Sequence, residues 1–197
     1  SQITWQYDSS EQMCMVTRNP YTDSVSFFLT IGATPGKRIA DRTSLGTFTD
    51  STSTFTDFTL HELDSTNFLH SGRDWYGEEF NLIDAQSRTF TIPMNQLVST
   101  EPVYIHSSFA GRSISPSTNS LDYLSNGTLE SRTFPYTGNS VQDNFASLQT
   151  AHFEIAPPIS NGDLQISLNT TDPDALAWLD FIQMNFTRNL VADQPQL

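Results

Sequence analysis

Apolar residues in this chain recur at every second position, in short runs closed by Gly, Pro, Asn or Asp. A period of two places alternate side chains on opposite faces of an extended backbone, so such runs are strands with one buried face. The clearest is residues 164–168, Leu-Gln-Ile-Ser-Leu. Residues 3–7 and 103–109 alternate in the same way, and 13–16, 54–63, 88–92, 121–124, 128–134 and 150–156 also read as strands or strand-like pieces. Residues 25–31 and 178–186 are apolar on both faces and predict buried strands. Residues 80–83 predict a further strand, and 64–69 a short helical turn stopped at Gly72.

No apolar stripe of period 3.6 is long enough for a crossover helix, which argues against a doubly wound fold. No repeat of 20 to 50 residues appears, which argues against propellers and solenoids. Strands at about 8–12-residue spacing predict an all-β sandwich, jelly-roll-like and antiparallel, with long loops. Ser and Thr make up about a quarter of the 197 residues and Phe occurs 14 times, a composition that favours sheet. No compositional break divides the chain, so residues 1–190 predict one domain and 191–197 a polar tail or linker.

Nine Lys and Arg oppose 22 Asp and Glu, a net charge of −13. That field repels phosphate backbones and anionic membranes, so nucleic acid is not an expected partner. No apolar run approaches the roughly 20 residues of a spanning helix. No basic segment leads into an apolar stretch, so no signal peptide is expected within residues 1–197. Cys14 is the single cysteine and forms no internal disulfide.

Nucleophilic catalysis by Cys14 would need a histidine beside it, and His61, His70, His106 and His152 are the candidates. Between Met13 and Met15, an inert buried thiol is the simpler reading. The histidines lack any zinc-ligand spacing, so no metal or cofactor is expected. Asn169, Asp172 and Asp174 could line a calcium loop, but a plain Asp-Pro turn accounts for them without the full ligand pattern. Glu78 and Glu79 are adjacent and would face opposite ways in a strand, so they make no acid–base pair. Three Asn-x-Thr triplets, at Asn126, Asn169 and Asn185, match the glycosylation pattern by composition alone.

The most distinctive run is His70-Ser71-Gly72-Arg73-Asp74-Trp75-Tyr76-Gly77-Glu78. Arg73, Trp75, Tyr76 and Glu78 could form a stacked cation–π unit closed by a carboxylate, either pinning a loop or docking a partner. A stand-alone carbohydrate-binding jelly roll using exposed Trp and Tyr is the alternative. A hydrolase using Cys14 or Glu78 is a third reading.

That run, together with Asn19-Pro20-Tyr21-Thr22-Asp23, Ser26-Phe27-Phe28-Leu29-Thr30, Pro35-Gly36-Lys37-Arg38-Ile39 and the segment from Ala177 to Asn185, resembles PorU-type proteins. These are gingipain-related cysteine peptidases of the type IX secretion system. The matching segments fall in order between Asn19 and Arg188. The resemblance implies a non-catalytic β-domain preceding the peptidase domain of an exported protein at the outer membrane, the cell surface or in the periplasm. It implies as partners the downstream peptidase domain, secreted cargo or other secretion components. The family's catalytic Cys and His motifs match nothing here, so no catalytic residue carries over.

Overall fold

The computed structural model describes residues 4–8, 13–17, 50–68, 74–156 and 162–191, and singly 29, 31, 32, 36, 46 and 70. Among them the regular structure is all strand. β1 (Thr4–Asp8) and β2 (Met13–Thr17) pair antiparallel as a separate ribbon. β3 (Thr54–Glu62), β4 (Glu79–Phe80), β6 (Val103–Arg112), β9 (Ser147–Ile155) and β11 (Leu176–Asn189) form a five-stranded sheet. β5 (Ser87–Ile92), β7 (Asn119–Ser125), β8 (Thr128–Phe134) and β10 (Gly162–Thr170) form a four-stranded one, in the order β5-β10-β7-β8. All pairings are antiparallel, and the two sheets enclose one core as a β-sandwich.

The period-two reading explains the core directly. In β10, Leu164, Ile166 and Leu168 are fully buried, while Asp163, Gln165 and Asn169 face water. β6 supplies Val103, Ile105 and Phe109 from the other sheet. Fully burying an aliphatic or aromatic side chain contributes about 1.5–3 kcal/mol, so these alternating positions carry the fold.

β11 is the spine of the five-stranded sheet. It pairs with β6 along one side, and with β3 and β4 end to end along the other. Its inward side chains change parity, from Ala177 and Leu179 to Ile182, Met184 and Phe186. The register slips between Leu179 and Phe181, which leaves Asp180 as the extra residue. A bulge of this kind lets one long strand keep its apolar side on the core. The strand expected at 178–186 is present and longer; the bulge inside it has no signature in the sequence.

Several local expectations are corrected. Of the helical turn expected over 64–69, the described residues 64–68 form none, and Thr66 instead bridges to Tyr76 as an isolated β-pair; Leu69 lies outside the described residues. The strand expected over 80–83 stops at Phe80, because Oδ1 of Asn81 accepts the backbone N–H groups of Ile83 and Asp84 and turns the chain. Of the buried strand expected over 25–31, only Leu29 and Ile31 are described; both are exposed and outside any strand, and the others lie outside the described residues. The tail at 192–197 also lies outside them.

Candidate functional site

Residues 63–68 and 74–80 lead into the edge where β3 ends and β4 begins. Tyr76 donates its backbone N–H to Thr66 and accepts the N–H groups of Ser65 and Thr66. The N–H of Gly77 donates to Leu179 and that of Leu179 to Glu78. These bonds hold the segment against β11.

Of the predicted site residues, Tyr76 packs on the outer cluster while Glu78 bonds His61 on the core side. Arg73 lies outside the described residues. Trp75 is 40% exposed. The Tyr76 ring stacks on Phe68 at 4.7 Å. Phe68 meets Trp178 edge-on at 4.6 Å and Phe145 at 5.0 Å. This outer cluster lies on the face of the sheet away from the core, since Trp178 follows the inward Ala177. Arg112 sits over Phe145 at 4.5 Å and donates to its carbonyl. Arg112 thus places a cation over this aromatic cluster. Arg112 and Phe145 are 33 residues apart, so no local motif announces the pair.

Glu78 and Glu79 face opposite ways, as the strand geometry requires. Oε1 of Glu78 is 2.8 Å from Nε2 of His61, whose ring also lies 5.0 Å from Phe90 on the core side. Oε2 of Glu79 accepts the Trp178 indole N–H at 3.1 Å on the outer side. The two carboxylates therefore serve separate faces of the sheet.

Three carboxylates gather near Tyr76. Burial raises the Asp180 carboxyl above the usual range; the Ser108 hydroxyl opposes this by donating to it, and Asp64 and Asp74 add to the rise. Burial also raises the Tyr76 hydroxyl, reinforced by Asp180 and Asp74.

The candidate calcium loop is occupied by its own backbone. Oδ2 of Asp172 accepts the Ser113 hydroxyl at 2.7 Å and the N–H groups of Ile114 and Ser115 at 3.0 Å. Oδ1 accepts the N–H of Asp174. Asn169 donates to Asp122 instead of turning toward Asp172. Asp172 is thus the clasp between the β6–β7 and β10–β11 turns. Among the described residues, no group of three or more His, Cys, Asp and Glu side chains is arranged for a metal.

Of the candidate nucleophile, the structure places the Cys14 backbone opposite Tyr7 in the β1–β2 ribbon. At the far edge of the sandwich, β8 and β9 leave a cavity of about 120 Å³ bordered by Tyr123, Glu130, Arg132, Ala151, His152 and Phe153, among others.

One solved structure follows this architecture almost from end to end. The chain has the fold of part of PorU. The match is to dimeric latent PorU from Porphyromonas gingivalis, with a TM-score of 0.68 and 21% identity, over 97% of this chain and 18% of that one. This chain therefore spans well under two thirds of PorU's length. Looser likenesses are to the insecticidal delta-endotoxin Cry8Ea1 of Bacillus thuringiensis (TM-score 0.40, 17% identity, 61% of this chain and 21% of that one). Another is to the carbohydrate-binding module CBM36 in complex with calcium and xylotriose (TM-score 0.38, 14% identity, 65% of this chain and 98% of that one). No family model matches the chain, and no curated protein sequence matches it.

Proposed function

We propose that this chain is a non-catalytic accessory β-sandwich of a PorU-like cell-surface cysteine peptidase. In this reading it positions the catalytic domain or binds protein while the C-terminal signal of exported cargo is removed. Its partners are then the peptidase domain of the same polypeptide, and cargo or other type IX secretion components. The observation that carries the reading is the shared architecture with a minor part of PorU, along 97% of this chain. Residues 74–78 add chemistry suited to protein contact. Trp75 stands exposed between Asp74 and Tyr76, on a segment fixed to β11 by backbone bonds. An exposed aromatic on a rigid mount is a low-entropy anchor for a partner.

The test is the intact mass of the native polypeptide from the source cell envelope. The expected result is a mass far above 22.1 kDa, with sequence continuing past Leu197 into a Cys–His peptidase. A mass near 22.1 kDa overturns the accessory-domain reading.

A further inference from the structure

His106 and His152 are 46 positions apart in the sequence, yet they are direct register partners across the β6–β9 pair. Their ring centroids lie 4.0 Å apart, with the planes at 45°. Both project from the face of the five-stranded sheet away from the core, because Ile105 and Ala151 beside them point inward. His106 is buried, and the Phe181 ring meets it edge-on at 5.0 Å, which restricts its rotation. His152 is exposed. The His106 ring is therefore the more closely packed of the two.

We propose that His106 and His152 form a two-imidazole site for a divalent late transition-metal ion, of the class Zn²⁺, Ni²⁺ or Cu²⁺. Opposed positions on antiparallel strands hold their Cβ atoms about 4.5–5.5 Å apart, so both rings reach one ion at about 2.0–2.1 Å. Imidazole is the protein ligand common to these three metals. Each ring has two nitrogens, so a metal on one leaves the other for the hydrogen bond that orients a ligating histidine. Glu154, two residues along β9 from His152, lies on the same face and is exposed. The net charge of −13 favours cation approach. With two protein ligands the site is open, and water or a partner's side chain fills the remaining positions. The inference stands on the sandwich geometry and is independent of the proposed function.

The experiment is calorimetric titration of the EDTA-stripped, dialysed chain with Zn²⁺, and separately with Ni²⁺, alongside thermal unfolding with and without each ion. The expected result is saturable binding of one ion per chain and a higher Tm with metal. His152→Ala should weaken binding at least tenfold. Cys14→Ser and His70→Ala should leave it unchanged, which separates this pair from the other soft donors. His152 is exposed, so its replacement leaves the fold standing, and an unchanged metal-free Tm checks that. Absence of saturable binding overturns the proposal, as does equal binding by His152→Ala and the unaltered chain.

Discussion

The indole N–H of Trp178 donates to Oε2 of Glu79 at 3.1 Å, joining residues 99 positions apart across the β4–β11 pair. This bond ties the short edge strand β4 to the sheet's spine. It also orients the indole against which Phe68 and Phe145 pack. The outer cluster of Phe68, Tyr76, Phe145 and Trp178 is a small second core, while Trp75 is 40% exposed.

Trp178→Ala should therefore cost about 3–5 kcal/mol, as removal of a large buried aromatic does. Trp75→Ala should change stability by no more than about 0.5 kcal/mol, as a surface substitution does. Urea unfolding of both variants checks this. If docking is the role of Trp75, Trp75→Ala weakens partner capture while the unfolding midpoint stays put. A large drop in that midpoint would make Trp75 structural and end the docking role.

Gly111 faces the Phe134 ring across the sandwich. A Cβ placed there would come within 2.8 Å of Phe134 Cβ and closer still to the ring. Gly111→Ala should destabilise the fold by about 1–3 kcal/mol through overpacking. Gly111→Ala combined with Phe134→Leu should recover part of that loss. Thermal unfolding of the single and double variants measures both.

Asp172 is buried, which by itself would raise its carboxyl, but four donors outweigh burial. The Ser113 hydroxyl and the N–H groups of Asp174, Ser115 and Ile114 hold it below the usual carboxylate range. A depressed folded value means stability that is present above the unfolded value of about 3.9, and lost as pH falls through the folded value. Asp172→Asn sets an amide N–H₂ against backbone or hydroxyl donors in either orientation. It should cost about 1–3 kcal/mol at neutral pH and flatten the stability profile at the acid end. Denaturant titrations at neutral and acidic pH read both effects.

Asp180 has the opposite sign. Its raised folded value means that the neutral form suits the native state, so its contribution falls as pH rises through that value. Asp180→Asn keeps an oxygen for the Ser108 hydroxyl and removes the charge facing Asp64 and Asp74. It should raise Tm at pH 7, with the gain shrinking as the solution is acidified. A relief of about 1 kcal/mol corresponds to about 2–4 °C in a chain of this size. A lower Tm at pH 7 would mean that Asp180 holds the bulge by a contact that its charge strengthens.

The sequence by itself determined the fold class and most of the strands. Residues 164–168 alternate so regularly that only a half-buried strand fits them, and they appear as the centre of β10. The opposite directions of Glu78 and Glu79 followed from the same two-residue period. Periodicity is a local property, so a local reading recovers it. Tertiary structure decided what depends on which strands become neighbours. The bulge at Asp180 appears only when β6 is laid beside β11. Arg112 reaches Phe145, and Asp172 reaches Ser113, because turns distant in the chain meet at the ends of the sandwich. His106 finds His152 because β9 pairs with β6 at one particular register; a shift of one residue would put His106 opposite an inward-facing position.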